Sequence, residues 1–270
     1  MEARVVRISI APVKSLGLVH QDEVMLEHGG VVGDRRFWLR DERGALYGGK
    51  RNGTMMGIRP GWDEATRVLR LSFPGGERVE DVVELGDPVE AELYRQRRPA
   101  HRVIGPWEEA ISGFVGRPLT LLWADDGAVD RAPEGGTISL VSRGSLKRLR
   151  EEIGLRGELD GRRFRMLFEI DGVDAHEEDE WIGGEARIGE ATVTFNGDVG
   201  RCVVTSRDPD TGIVDVPTLV TLASYRPDGH SEPLPFGIYG AVARPGRVRC
   251  GDAVTLGRLG STGLVIPHGR

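Results

Sequence analysis

Apolar and polar residues alternate over short stretches in the first hundred residues, which is the pattern of half-buried strands. In residues 68–73 the alternation places Leu71 and Phe73 on one face, and the Pro-Gly-Gly sequence that follows is a hairpin turn. Short strands at close spacing favour a barrel or a sandwich. The same reasoning predicts further strands at residues 5–10, 36–40, 45–47, 82–85 and 89–93.

Helix signals are few and lie in the later part of the chain. Pro106 at a first helical position, followed by two acidic residues, predicts a helix that ends at Gly116. An amphipathic run over residues 145–153 ends at Gly154, and a third short helix is predicted at residues 217–225. We therefore expect a mainly β protein with a few helices, of the α+β class. The remaining strands are predicted at residues 119–123, 138–141, 165–170, 191–195 and 203–205, and residues 124–136 are predicted to form a loop or lid.

Composition and charge narrow the class of protein. The 270 residues are 39% hydrophobic, enough for a substantial core in one large domain or two small ones. The chain has 36 Lys and Arg against 42 Asp and Glu, and the net charge of −6 argues against wrapping nucleic acid through a basic surface. No apolar window approaches the ~18 residues of a membrane span, and the first residues lack a signal-peptide pattern. The sequence indicates a cytoplasmic protein without nucleic-acid or membrane partners.

Basic residues nevertheless cluster at residues 35–36, 50–51, 95–102 and 162–165. Such clusters are usually solvated faces. The alternative is that several of them converge on an anionic small molecule, because arginine forks match phosphate oxygens in pairs. Residues 12–17 carry a lysine and a hydroxyl in a glycine-ended turn that suits a phosphate, although the glycine patterns of Walker and dinucleotide loops are absent.

The two cysteines are too few for a disulfide framework or a four-thiolate site. Cys202 lies between glycines and an Asp-Pro-Asp-Thr-Gly turn, directly after Arg201. A neighbouring positive charge favours the thiolate, the form that binds metals. The alternative is a small apolar side chain buried in a strand. Cys250 alternates with charged residues, which predicts an inward-facing strand residue with a packing role.

The run from His176 to Glu180 contains one histidine and four consecutive acidic residues. Consecutive ligands do not share one face, so we predict a surface loop that leads into a packed Trp181 rather than a metal site. The other histidines form no metal-ligand spacing.

Six stretches of this chain resemble the MOSC family, named after the C-terminal part of molybdenum cofactor sulfurases. The architecture resembles the mitochondrial amidoxime-reducing component and its bacterial relatives, which implies an N-terminal MOSC-associated β-barrel domain over residues 1–100 and a MOSC mixed β-barrel over residues 101–270. The matching stretches are APVKS (11–15), GDRRFWL (33–39), SLVSRGSL (139–146), FRMLFEIDGVDAHEEDEW (164–181), GRCVVTSRDPDTG (200–212) and FGIYGAVARPGRVRCGDAV (236–254).

The resemblance implies a molybdenum cofactor, Mo-molybdopterin, in a cleft between the two domains. Cys202 is then the molybdenum ligand at the catalytic centre, and a soft thiolate suits this metal. The family is also associated with pyridoxal phosphate binding. The resemblance further implies that five basic or hydroxyl residues bind the cofactor, the first three through its phosphate: Lys14, Ser15, Arg36, Arg165 and Arg201.

The leading hypothesis is an oxidoreductase that reduces small N-hydroxylated or N-oxide substrates. Gly200, where the amidoxime reducers usually have proline, and the loosely matching residues 49–52 bear on the identity of the substrate. Two cysteines cannot ligate an iron–sulfur cluster in the usual way, so electrons are expected from a separate electron-transfer protein. The alternatives are a sulfur carrier with a persulfide on Cys202, a cofactor-handling protein, or a non-catalytic binding protein.

Overall fold

A computed structural model describes residues 2–93, 96–125, 128 and 137–257. Within these residues the chain forms nineteen strands and three α-helices, so the predicted mainly β, α+β class is confirmed. The strands before the first helix are β1 Arg4–Ile10, β2 Val19–Gln21, β3 Glu23–Glu27, β4 Gly30–Val31, β5 Phe37–Asp41, β6 Leu46–Tyr47, β7 Arg59–Asp63, β8 Val68–Ser72, β9 Arg78–Val82, β10 Glu84–Leu93 and β11 Gln96–Ile104.

The later part of the chain carries the helices and the strands that surround them. Four 3₁₀ turns complete the described elements, at Gly53–Gly57, Gly161–Phe164, Glu177–Trp181 and Val203–Ser206. The helices are α1 Trp107–Val115, α2 Arg143–Ile153 and α3 Thr218–Tyr225, and the strands are β12 Leu119–Ala124, β13 Ile138–Ser142, β14 Phe168–Asp171, β15 Glu185–Ile188, β16 Ala191–Gly200, β17 Pro235–Arg244, β18 Gly246–Arg249 and β19 Val254–Leu256.

Two large apolar cores and two smaller apolar clusters organise the described residues. The first lies on an eight-stranded sheet of order β19-β15-β16-β17-β13-β14-β1-β2, in which only the β13–β14 pair is parallel, together with the sheet β18-β3-β4. The second lies between the sheet β10-β11-β12-β5-β6, the sheet β7-β8-β9 and helix α1. Trp107 of α1 is fully buried there, and its indole N–H donates to the carbonyl of Leu69 at 3.0 Å.

The two cores interleave along the sequence. Strand β1 pairs with β14 in the eight-stranded sheet, and β3 pairs with β18 in the three-stranded sheet, so early strands pair with strands from the second half of the chain. Strand β12 pairs with β5, which returns the chain to the second core. The expected division into two domains at residue 100 stays a prediction. An important consequence is that the segment after β1 crosses between cores: Ile10 is buried in the first, and Val13 and Leu16 in the second.

The three predicted helices are confirmed, and their ends follow local chemistry. Gly116 and Gly154 end α1 and α2 in the left-handed conformation that glycine adopts without strain. Helix α2 begins two residues earlier than predicted, because the Ser142 hydroxyl accepts a hydrogen bond from the backbone N–H of Ser145 and caps the helix.

Four strand predictions were wrong in detail. The strands expected at 82–85 and 89–93 are not separate: β10 runs from Glu84 to Leu93, because a shift of register between Leu85 and Pro88 lets the pairing with β11 continue past the proline, and Val82 ends β9. The strand expected at 165–170 begins only at Phe168. The predicted strand at 203–205 is a 3₁₀ turn. Most of the predicted loop or lid at 124–136, and Arg95 of the basic clusters, lie outside the described residues.

Candidate functional site

The segment that crosses between the cores carries the predicted phosphate-binding pair. The backbone N–H of Lys14 donates to the carbonyl of Phe37 at 2.8 Å, which ties the segment to β5. Ser15 has a φ of 75°, a left-handed conformation that is uncommon outside glycine and that clusters at functional sites. A Cβ atom on Gly48 would lie 2.1 Å from the Ser15 hydroxyl. Glycine at position 48 therefore makes room for this hydroxyl.

Cys202 follows β16 and is partly exposed. Its carbonyl accepts two hydrogen bonds from Thr205, one from the backbone N–H at 3.0 Å and one from the hydroxyl at 2.9 Å. These bonds close the 3₁₀ turn where a strand was predicted. The following turn is held by Asp208, whose carboxylate accepts from the N–H and the hydroxyl of Thr211 at 2.8 and 2.9 Å. The Asp-Pro-Asp-Thr-Gly sequence is thus a rigid, side-chain-capped turn.

Glycines let this turn lie against the second core. A Cβ atom on Gly212 would lie 1.8 Å from the carbonyl oxygen of Gly53, so the two backbones are in direct contact. A Cβ atom on Gly49 would lie 3.6 Å from the side chain of Val204. We call the contact region formed by residues 13–17, 48–53 and 202–212 the thiol seam. It brings the segment of Lys14 and Ser15 and the turn of Cys202 against the same glycine-rich stretch.

An ion-pair bridge closes one end of the thiol seam. Asp210 pairs with Arg59 of β7 and, through both carboxylate oxygens, with Arg162 at 2.8 to 2.9 Å. The hydrogen bond from Arg162 is the main reason that the pKa of Asp210 lies below its ordinary value. The carboxylate is therefore charged at neutral pH and links β7 to the 3₁₀ turn Gly161–Phe164.

Arg201 is the residue before the thiol, and its donors are directed at protein atoms. Nε donates to the carbonyl of Phe236 at 2.9 Å, Nη1 to the carbonyl of Phe164 at 3.0 Å, and Nη2 to the sulfur of Met166 at 2.9 Å. Burial lowers the pKa of Arg201 to about 9, partly offset by neighbouring Cys202, so the guanidinium stays charged at neutral pH. In this structure Arg201 connects the backbone before Cys202 to Phe164, Met166 and Phe236. Its predicted contact with a cofactor stays a prediction.

The two neighbouring arginines of the GDRRFWL stretch contact different parts of the protein. Arg35 pairs with the buried carboxylate of Asp34 and donates to the carbonyl of Arg165 at 3.2 Å. Asp34 in turn accepts from the N–H of Ala11 at 2.7 Å, so this pair connects the crossing segment to Arg165. Arg165 itself has a left-handed φ of 56°. Arg35 was not among the predicted site residues, although the doubled arginine in the motif marked the position.

Arg36, the arginine predicted to bind the phosphate, has its described contacts with Trp123, Ala124 and Glu64. Its guanidinium carbon lies 4.6 Å from the ring centre of Trp123, and Nη1 donates to the carbonyl of Ala124 at 3.3 Å. A carboxylate oxygen of Glu64 lies 3.9 Å away. The predicted role of Arg36 at a phosphate therefore stays a prediction.

Cys250 is not the inward-facing strand residue that was expected. Strand β18 ends at Arg249, and the chain turns at Gly251, whose φ is 95°. The thiol of Cys250 is consequently exposed, 3.7 Å from the carbonyl oxygen of Gln21. Partial desolvation raises the pKa of this thiol and favours its uncharged form.

The acidic run, predicted to be a surface loop, is a 3₁₀ turn with an exposed Glu180 and one buried carboxylate. Glu178 is fully buried and accepts hydrogen bonds from Ser142 and from the Ser145 hydroxyl, the latter at 2.7 Å. Burial raises the pKa of Glu178 and lowers that of His176 to about 4. Trp181 is buried, as predicted. Within the described ranges, no three His, Cys, Asp or Glu side chains are arranged to hold a metal ion.

Across the part of the chain that the structure describes, no helix is long and apolar enough to span a membrane. The model of the MOSC N-terminal beta barrel domain matches residues 2–100, and that of the MOSC domain matches residues 131–255.

Among curated proteins, the chain is 37% identical over 130 residues to mitochondrial amidoxime reducing component 2 of Rattus norvegicus, and 37% identical over 124 residues to mitochondrial amidoxime-reducing component 1 of Mus musculus. These alignments cover 45% and 43% of this chain, and 37% and 35% of the relatives. A molybdenum cofactor sulfurase of Anopheles gambiae is 29% identical over 240 residues, which cover 77% of this chain and 31% of that protein. The chain thus spans about a third of the length of these relatives.

Proposed function

We propose a function from the premise that this chain belongs to the MOSC domain family, with the family's N-terminal β-barrel domain ahead of its MOSC domain. The names of the relatives support a function connected with the molybdenum cofactor. Our proposal is that the chain binds Mo-molybdopterin through the Cys202 thiolate. It then reduces small N-hydroxylated or N-oxide substrates with electrons from a separate electron-transfer protein.

One observation carries the proposal: the thiol seam brings residues from distant parts of the chain to the same glycine-rich stretch. Ser15 lies against Gly48, and Val204, two residues after the thiol, lies near Gly49. A soft thiolate on one side and a lysine and a hydroxyl on the other suit a cofactor with a metal at one end and a phosphate at the other.

The residues of the thiol seam therefore fit the cofactor that the family implies. Cys202 would supply the protein ligand to the metal. Lys14 and Ser15 would hold the phosphate, with Arg165 near the cofactor and Arg36 as a further predicted partner. Bound in this way, the cofactor supplies the two-electron chemistry at the substrate oxygen. The chain contributes the anchoring thiolate, the anion-binding side chains and the shape of the entrance.

The test is the metal content of protein made in a host that synthesises the molybdenum cofactor. We expect an equimolar amount of molybdenum in the wild-type chain and its loss in Cys202→Ala, because that substitution removes the ligand. The matched control is Cys250→Ala, which should keep the metal and change the free energy of unfolding by no more than about 0.5 kcal/mol, since this thiol is exposed.

Loss of molybdenum in Cys250→Ala with Cys202 intact would reverse the assignment of the two thiols. A wild-type chain without molybdenum but with a persulfide on Cys202 would instead favour the sulfur-carrier function.

A further inference from the structure

We propose that Arg163 is a positioning residue for Cys202: it fixes the turn that follows the thiol and so holds Cys202 in the thiol seam. The functional meaning of this inference rests on the proposed function, in which Cys202 is the metal ligand. The structural part stands on contacts within this chain alone.

Arg163 is a buried arginine whose fork is shared by three partners. Its side chain is 4% exposed. Nη1 donates to the carbonyls of Arg207 and Thr205, at 2.9 and 3.4 Å, and the fork pairs with both carboxylate oxygens of Asp215 at 3.0 and 3.2 Å. Residues 205–215 therefore wrap around one guanidinium.

Three hydrogen bonds connect this guanidinium to the thiol residue through Thr205. Arg163 donates to the carbonyl of Thr205, and Thr205 donates through its N–H and its hydroxyl to the carbonyl of Cys202. The Thr218 hydroxyl also donates to the Thr205 carbonyl at 2.9 Å, which anchors the turn to α3. The backbone that follows Cys202 is held from two directions.

The residue next to Arg163 holds the backbone that precedes the thiol. The carbonyl of Phe164 accepts from Arg201, the residue before Cys202. On the other side of Arg163, Arg162 pairs with Asp210 in the capped turn. The short stretch Gly161–Phe164 thus contacts the chain before the thiol, directly after it, and at the tip of the thiol seam.

Arginine has a specific advantage at this position. Its planar guanidinium carries five N–H donors and can serve two carbonyls and a carboxylate together. A lysine ammonium is a single point on a flexible stem, so it can keep the charge pair with Asp215 but cannot reproduce the whole fork. Arg163→Lys therefore removes the positioning contacts while keeping the partly exposed Asp215 carboxylate paired.

The experiment measures how fast iodoacetamide alkylates Cys202 at a fixed pH in the folded, cofactor-free chain, with Cys250→Ser present so that one thiol reacts. We expect Arg163→Lys to raise the rate about tenfold, the factor that corresponds to losing the hydrogen bonds that hold the turn closed. The matched control is Arg226→Lys. Arg226 pairs with Asp179 and donates to the carbonyl of Pro235, without a described contact to residues 202–215, so its rate should stay at the wild-type value.

A second readout uses the molybdenum-loaded protein. The electron paramagnetic resonance g values of the partly reduced metal depend on the orientation of the thiolate, so they should shift in Arg163→Lys and remain unchanged in Arg226→Lys. Should Arg163→Lys fold poorly, Asp215→Asn weakens the same fork and should raise the alkylation rate by a smaller factor.

An alkylation rate that is unchanged in the folded Arg163 variant, or raised equally in the Arg226 control, would overturn the inference. When only Asp215→Asn folds, an unchanged rate in that variant has the same meaning. Failure of the proposed function would look different: the wild-type chain would hold no molybdenum, while the alkylation rates would still report the positioning of Cys202.

Discussion

Individual residues of this protein are constrained by space as much as by charge. The Ser15 hydroxyl occupies the volume that a side chain at position 48 would need, in a backbone conformation that already costs free energy. Position 49 differs, since a Cβ atom there would make only ordinary contact with Val204. The two neighbouring glycines therefore have separable roles.

We predict that Gly48→Ala lowers the free energy of unfolding by about 1–3 kcal/mol and weakens cofactor retention, because the added methyl group displaces Ser15. Gly49→Ala should change neither the free energy of unfolding nor cofactor retention appreciably. Urea unfolding and molybdenum content are the measurements. Equal effects of the two substitutions would show that the fit around Ser15 is not what position 48 provides.

His176 makes the free energy of unfolding depend on pH. Burial holds its pKa at about 4 in the folded state, below the ordinary value of 6.5. The unfolded chain therefore binds more protons between these values, and the contribution of His176 to stability is lost as the pH falls from about 6.5 to 4. Glu178 contributes in the opposite direction, because a raised carboxyl pKa favours the folded state at low pH.

The contribution of the histidine is isolated by comparing the wild type with His176→Asn, which tolerates the left-handed φ of 64°. The wild type should lose stability relative to the variant as the pH falls from 6.5 to 4. The loss should be smaller than about 1.4 kcal/mol per pH unit, because the ring is partly exposed. Urea unfolding at several pH values measures the difference. Parallel stability curves would contradict this prediction.

At the scale of elements, short 3₁₀ segments and capped turns do the positioning that strands do elsewhere in the chain. The turn after Cys202 lies against Gly53 through direct backbone contact at Gly212. Gly212 and Gly183 have similar left-handed φ values of 71° and 85°, but a Cβ atom on Gly183 would meet nothing within 4 Å. Substituting each glycine therefore distinguishes the cost of a left-handed backbone, present at both positions, from the cost of a steric clash with Gly53, present only at Gly212.

We predict that Gly183→Ala costs about 1 kcal/mol, the cost of placing a side chain in the left-handed region. Gly212→Ala should cost at least about 2 kcal/mol more, because its methyl group would overlap the Gly53 carbonyl. Chemical denaturation of both variants measures the difference. Equal losses would mean that the contact between the turn and the second core contributes little.

At the scale of the whole molecule, two interleaved cores form the thiol seam, and the proposed chemistry needs electrons from outside. The chain has two cysteines and no glycine fingerprint of a flavin or nicotinamide site. We predict that NADH with the loaded chain gives no turnover of an N-hydroxylated amidine, and that reduced viologen restores it. NADH-dependent turnover by the chain alone would contradict this, as would inertness of the loaded protein towards N–O substrates with viologen.

Most of the regular elements could be predicted from the sequence because their causes are local. A glycine in a left-handed conformation ends α1 and α2 through hydrogen bonds within one helical turn, and period-two alternation marks β8. The motif around Cys202 likewise identified the family and the candidate thiol. The strand predicted at residues 203–205 was wrong because of a contact with a distant part of the chain: the side chain of Val204 lies near Gly49, and the segment does not pair with a sheet.

The tertiary structure alone decided which partners each of several similar residues contacts. Arg35 and Arg36 are indistinguishable as sequence neighbours, yet one reaches Arg165 and the other stacks on Trp123. Arg163 is one more basic residue in a cluster until residues 205–215 fold around it. The physical reason is that a helix cap or a strand pattern needs partners a few residues away, whereas a buried guanidinium takes its partners from segments that are distant in the sequence and meet only through tertiary packing.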